Sequence, residues 1–233
     1  MNKQKSLLFL VFAIYVMLFA VLSVSADFTD DFSDVDFAAN GWNPGLMFGK
    51  PDLEYIFPGR RMLTFRLPDY NTAVYMVNQN TMAGDSAVEV SFENVYSNHG
   101  EFGIICRSNE KGWYELRLYL SGFEAGSYAV YRYEKALRDE NENPFVCLHP
   151  LQDRIYTKSL KTGINAKNTV KMLCEGDEIR VFINGNEMHP IQNGRLYAGE
   201  YQSGLSGFSV WTHRPYGYAE INVSGFRSVF ENQ

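Results

Sequence analysis

The chain has 233 residues, 45% of them hydrophobic and 15% aromatic, with 27 acidic residues against 21 basic ones and a formal net charge of −6. That balance argues against nucleic acid and anionic lipid as partners, because both are held by lysine and arginine neutralising phosphates. The length suits one ordinary β domain or a compact pair.

Lys3 and Lys5 open the chain, Leu7 to Leu22 is almost wholly apolar, and Val24-Ser25-Ala26 supplies small residues before the sequence turns acidic at Asp27. A positive start, an apolar middle and a small-residue exit make a secretory signal peptide. Residues 1–26 therefore read as a leader and 27–233 as a secreted or extracytoplasmic domain. The alternative is a retained anchor, since the apolar stretch approaches spanning length. No later segment is apolar enough to span, so no membrane contact is expected once the leader is cut.

Beyond the leader the pattern is β almost throughout. Ala73 to Asn78 and Ala87 to Asn94 are short runs rich in Val, Tyr and Phe, and Phe102 to Arg107 follows. Trp113 to Leu120 alternates strictly, with Tyr114, Leu116, Leu118 and Leu120 on one side, which predicts a half-buried antiparallel strand. Ser121-Gly122 begins a turn and Tyr128 to Tyr133 runs back. Glu175-Gly176-Asp177 joins Thr169–Cys174 to Ile179–Ile183, and Asn184-Gly185 supplies the positive φ angles of a two-residue hairpin. Leu205 to Thr212 and Ala219 to Val229 complete the set. No window outside the leader has a helical period. Strands at this spacing without βαβ alternation predict an all-β fold, a two-sheet antiparallel sandwich or jelly roll.

An oxidising compartment favours pairing two of the three cysteines. Cys106 shares a strand face with Phe102 and Ile104, and Cys174 shares one with Val170 and Met172, so both point into the core. Cys147 falls in a polar, proline-containing loop from Asp139 to Asp153. The phasing predicts a Cys106–Cys174 bridge, two buried thiols being the alternative.

Several segments carry a resemblance: Asp31-Phe32-Ser33-Asp34, Gly41-Trp42, Phe102-Gly103-Ile104-Ile105-Cys106-Arg107, Trp113-Tyr114, Lys161-Thr162-Gly163-Ile164-Asn165, Cys174-Glu175-Gly176 and Val181-Phe182-Ile183-Asn184-Gly185. In that order they resemble secreted concanavalin A-like lectin and glucanase domains over nearly all of residues 28–230, above all the group related to keto-disaccharide hydrolase-type and laminin G-like domains. The resemblance implies a jelly roll. Where such domains often end in an acidic Phe-Asp-Asn-Phe-like strand, this chain has Ile221-Asn222-Val223-Ser224-Gly225-Phe226 and lacks the Asp. Glucanases of this fold carry Glu-x-Asp-x-Glu or Glu-x-Asp-x-x-Glu on one strand, two carboxylates about 5 Å apart. No such run exists here. Glu89-Val90-Ser91-Phe92-Glu93 lacks the middle Asp and reads as a solvated face, and Asp139-Glu140-Asn141-Glu142 reads as a solvated loop.

Other chemistry is absent from the pattern. His99, His149, His189 and His213 show no zinc-ligand spacing, and there is no nucleophile elbow or phosphate loop. No cofactor is expected. Calcium is the one ion with candidate ligands, Asp27, Asp30, Asp31 and Asp34. Asn222-Val223-Ser224 is a formal glycosylation acceptor.

The outward strand faces are the informative part. If Tyr114 and its companions point in, Trp113, Glu115, Arg117 and Tyr119 point out, with Arg107 beside Cys106 by the same phasing. On the Gly207–His213 run, Ser209, Trp211 and His213 face out, and Arg214, Tyr216 and Tyr218 follow. The candidate ligand-binding set is Arg107, Trp113, Glu115, Arg117, Tyr119, Trp211 and His213. Rings cover the C–H face of a pyranose while Arg and Glu bond its hydroxyls. The expectation is a non-catalytic module that binds an oligo- or polysaccharide on an outer, concave sheet. Alternatives are a glycoside hydrolase of the keto-disaccharide hydrolase type and a protein-binding adhesin-like domain. A structural reading competes: Trp113 capping the sandwich edge, an Arg107–Glu115 cross-strand pair of small value, and a cover supplied by the 134–160 segment. Exposed Trp113 and Trp211 would be replaceable by Ala with little loss of stability.

Overall fold

Period-two alternation is carried along nearly every strand, and it sorts apolar side chains into an interior between two antiparallel sheets. The computed structural model describes residues 27–34, 36–50, 54–59, 61–68, 71–149, 153–189, 196–213 and 217–230; the leader, Arg214 and Tyr216 lie outside them. In chain order the strands are β1 (Phe28–Asp30), β2 (Trp42–Phe48), β3 (Ile56–Gly59), β4 (Met62–Leu67), β5 (Thr72–Ala83), β6 (Ser86–Asn98), β7 (Gly100–Ser108), β8 (Gly112–Tyr119) and β9 (Ser127–Glu134). A short helix α1 (Lys135–Asp139) follows, then β10 (Phe145–Cys147), β11 (Ile155–Tyr156), β12 (Ala166–Glu175), β13 (Glu178–Ile183), β14 (Asn186–Met188), β15 (Leu196–Tyr197), β16 (Gly204–Thr212) and β17 (Tyr218–Phe230).

Among the described residues the first sheet runs β14-β13-β12-β6-β17-β4-β3, with β1 on β17 and β15 on β13. The second runs β10-β9-β8-β7-β16-β5-β2, with β11 on β9. This is the all-β, two-sheet sandwich expected. Asn184 and Gly185 take φ angles of 50° and 81° at the β13–β14 hairpin, the left-handed pair such a turn demands. The helix α1 escaped the pattern because five residues are too few to show a 3.6 period.

The core between the sheets is ring-rich. Trp42 lies 4.8 Å from Phe226 and 5.3 Å from Phe208, and Phe92 stacks on Phe102 at 4.0 Å. Trp42 donates its indole N–H to Asp30 Oδ2 at 2.8 Å, and Asp30 also accepts the Phe32 amide. One of the calcium candidates thus serves as a tie for the core tryptophan. No group of three or more His, Cys, Asp or Glu gathers among the described residues.

Cys106 on β7 and Cys174 on β12 are bonded and join the two sheets through the interior. Cys147 is free and half-buried, and it stands on the short strand β10 rather than in an open loop. Arg107 departs from expectation. Its φ of 54° breaks the alternation, and its guanidinium donates to Gly84 O at 2.8 Å, Tyr201 O at 3.1 Å and Asp85 Oδ1 at 3.1 Å. It fastens the β5–β6 turn and the segment before β16, and makes no pair with Glu115.

The bridge closes a sequence separation of 68 residues, for which chain entropy gives about 4 kcal/mol. The Cys106→Ala/Cys174→Ala variant is therefore expected to lose about that much in denaturant unfolding, whereas Cys147→Ser changes stability little.

Candidate functional site

The outer face of the second sheet carries the candidate residues. Tyr114, Leu116 and Leu118 are buried in the sandwich core, so Trp113, Glu115, Arg117 and Tyr119 project from the other side of β8. Register sets their neighbours: Glu101 opposite Tyr119, Gly103 opposite Arg117, and Trp113 opposite Tyr133. On β16, Ser209 pairs with Gly103 and Trp211 with Glu101.

Glu115 is the hub. Its Oε2 accepts the Trp113 indole N–H at 3.1 Å, and its Oε1 accepts Arg117 Nε and Ser209 Oγ, each at 3.0 Å. Ser209 Oγ in turn accepts the Trp211 indole N–H at 2.9 Å. Gly103 makes this possible: a Cβ there would sit 2.1 Å from Ser209 Oγ and 2.6 Å from Glu115 Oε1. Above the network the rings close up. Trp113 stacks on Tyr133 at 4.0 Å, and the Arg117 guanidinium lies 3.9 Å from the Trp211 ring and 4.3 Å from that of Phe145.

The structure brings Trp113, Glu115, Arg117, Tyr119 and Trp211 together, with His213 at the margin, but it does not leave them open. Exposure is 0% for Glu115, 3% for Arg117, 2% for Trp211 and 6% for Trp113. The cover comes from the chain after β9, through Phe145 on β10 and Arg138 on α1, whose Nη2 donates to Met47 O at 2.8 Å. Met47, Ala73, Val77, Ile105, Trp113, Tyr133 and Trp211 form a second apolar cluster. What faces solvent is its rim: half-buried Phe48, Tyr75, Tyr131 and Phe145, with exposed Arg138 and His213. Arg107 does not join, for the reason given above. Tyr218 belongs to β17 in the first sheet and donates to Glu220 at 3.0 Å.

Alternation from Phe102 onward, extended one residue back, would have placed Glu101 on this face, and the Tyr128–Tyr133 run carried the signal for Tyr131. Phe145 had none. Glu101 is buried at 4% exposure, with Oε2 3.8 Å from Arg117 Nε and Oε1 3.7 Å from His213 Nδ1. Burial pushes its carboxyl up to about 7, against the pull of Arg117. Tyr119 and Tyr131 share a hydroxyl contact of 2.9 Å, Arg154 lies over the Tyr119 ring at 4.8 Å, and burial raises both phenols.

No protein-family model matches the sequence, and no curated protein matches it either. Solved structures do. A β-glucanase from Bacillus licheniformis matches at 10% identity with a TM-score of 0.59, covering 90% of this chain and all of the other (100%). A carbohydrate-binding module from Bacillus subtilis matches at 12% identity and 0.53, covering 79% and 92%. A Bacillus subtilis protein of unknown function with a galectin-like fold matches at 10% and 0.60, covering 87% and 95%. At such identities the likeness is one of fold, and the fold is a concanavalin A-like jelly roll.

Two outcomes follow for stability. Trp211→Ala should cost about 3–5 kcal/mol in denaturant unfolding, as for a buried aromatic, in place of the near-neutral result an exposed ring would give. For Glu101 the unfolded carboxyl titrates near its ordinary 4.5 and the folded one near 7. Between those values the native state holds a proton that the unfolded state has lost, so stability falls as pH rises and the loss is complete above about 7. Glu101→Gln should remove this slope and, in thermal unfolding at neutral pH, be more stable than the wild type by about 1–3 kcal/mol.

Proposed function

We propose that the protein is a secreted, non-catalytic glycan-recognition module, residues 1–26 serving as its leader, with an oligo- or polysaccharide held on the outer face of the second sheet. The observation that carries this reading is the composition of that face. The sandwich already has a full core between its sheets, yet the outer side of the second sheet is also built from Trp, Tyr, Phe, Arg and Glu. Half-buried rings of Phe48, Tyr75, Tyr131 and Phe145 ring it at the solvent boundary, and such rings suit the C–H faces of sugars. Trp113, Glu115, Arg117, Tyr119 and Trp211 are then the layer that holds these rings flat. Solved structures of this fold include a carbohydrate-binding module and a variant of the Z. galactanivorans protein LamA in complex with laminaritriose and laminaritetraose, which supports a sugar as the ligand class.

Hydrolysis is the second reading, favoured by one observation: two carboxylates, Glu101 and Glu115, approach the same Arg117 Nε, and one of them has its pKa raised into the range of a general acid. Against it stands Glu115, whose oxygens accept three bonds and which has no exposure, a poor setting for a nucleophile or base that must reach substrate.

The test is an oligosaccharide array followed by product analysis. Binding without release of reducing ends over hours supports the module; cleavage supports the hydrolase. Tyr75→Ala and Phe48→Ala are expected to weaken binding by about tenfold or more while shifting the melting temperature far less than Trp211→Ala. Binding untouched by either rim variant would remove this face from consideration.

A further inference from the structure

The outer-face network gives both Glu115 oxygens hydrogen-bond partners and leaves two other atoms over. Oε2 of Glu101 and Nη2 of Arg117 are both buried and neither has a hydrogen-bond partner. Buried polar groups are matched as a rule, and an unmatched one calls for an explanation. Here the acceptor and the donor belong to the two members of one ion pair, Glu101 Oε2 lying 3.8 Å from Arg117 Nε. His213 does not complete the set, since its Nδ1 is 3.7 Å from the other oxygen, beyond hydrogen-bond length.

Phe145 and His213 each lie against one member of this pair. Phe145 is half-buried on β10, a three-residue terminal strand of its sheet, and rests on the Arg117 guanidinium. His213 is exposed just beyond β16. Neither belongs to the core between the sheets. Trp211 and Tyr119 are the cross-strand neighbours of Glu101 on its two sides, so a ring stands on each flank of the carboxylate.

We propose that Glu101 Oε2 and Arg117 Nη2 are the polar recognition point of the glycan surface, receiving a vicinal hydroxyl pair of an uncharged sugar when His213 and Phe145 swing aside. This rests on the reading of the outer face as a glycan surface. A diol fits because one hydroxyl donates to the carboxylate while the neighbouring oxygen accepts from the guanidinium. A uronate or sulfate does not, because Arg117 is already offset by Glu115 and Glu101 and no net positive charge remains to hold an anion.

The pair makes binding pH-dependent. A hydroxyl donating to Oε2 favours the ionised carboxyl, so binding expels the proton that burial keeps on Glu101 up to about pH 7. The charged and titratable groups facing Glu101 are Glu115, Arg117 and Tyr119 from β8, Glu124 from the turn after it, Tyr131 from β9, Arg154 ahead of β11, and His213. Arg117, Tyr119, Tyr131 and Arg154 are all shifted upward and keep one charge state through neutrality.

The experiment is isothermal titration of the protein with laminaritetraose, cellotetraose and tetragalacturonate, across pH and in buffers of different ionisation enthalpy. The expected result is binding of a neutral tetrasaccharide with release of about one proton, affinity rising about tenfold per pH unit up to about 7 and level above it. Glu101→Gln should weaken that binding about tenfold or more on the alkaline side and flatten the profile, whereas His213→Gln should keep the slope. Wild-type binding that Glu101→Gln leaves unchanged, in affinity and in pH profile, overturns this inference alone and assigns the two atoms to an ordered water. Preference for tetragalacturonate overturns it as well. No binding of any saccharide by the wild type defeats the glycan surface itself and this inference with it. Should Glu101→Gln not fold, proton release by the wild type decides.

Discussion

Glu115 is the constraint on which the outer face of the second sheet depends. A carboxylate wholly removed from water carries a desolvation cost of several kcal/mol, repaid only where an opposite charge and hydrogen bonds meet it in good geometry. Arg117 supplies the charge, Trp113 and Ser209 the bonds, and Gly103 the space. Each member also orients a ring or a guanidinium plane, so the polar network fixes the aromatic layer. Truncating any one partner leaves a buried charge or an indole N–H unmatched, and the penalty falls on the whole face.

That arrangement gives the domain two dehydrated layers instead of one. The first lies between the sheets and is bridged by Cys106–Cys174; the second lies outside the second sheet, under Phe145 and α1. The outer layer places charged groups where apolar ones would pack more cheaply. Its benefit is to geometry: rings held flat and at fixed spacing, with Phe48, Tyr75 and Tyr131 at the water boundary. Preorganised rings lose little freedom when a ligand lands on them, which suits a surface that recognises over one that reacts.

Alternation in the sequence was enough to tell the two sides of β8 apart, to phase Cys106 with Cys174, and to put Trp113, Glu115, Arg117, Tyr119 and Trp211 on one face. Its failures have physical causes. Arg107 sits at a left-handed φ, and a single such residue turns the next side chain out of phase. Tyr218 was grouped with Trp211 because alternation tells which side of a strand a residue takes and says nothing of which sheet the strand joins. The cover over the face was the least legible. Phe145 is an isolated ring in a polar stretch, and its position follows from pairing with Tyr133 across β9, a contact no local pattern encodes.

Glu101 and Glu115 are the same residue on adjoining strands, and their contrast bears on what the face is for. Glu115 has partners on both oxygens; Glu101 keeps one oxygen unmatched and is destabilised as an anion by its burial. Selection for stability alone would have neutralised Glu101, since glutamine fits the same space and carries no charge to desolvate. A carboxylate retained at a cost in stability, beside an equally unmatched guanidinium nitrogen, is the kind of local conflict that marks a functional position in an otherwise consistent fold. A retaining hydrolase would require its second carboxylate to be open to substrate, and Glu115 is closed by three bonds. The conflict is confined to one residue of the pair, which fits the proposed recognition of a hydroxyl.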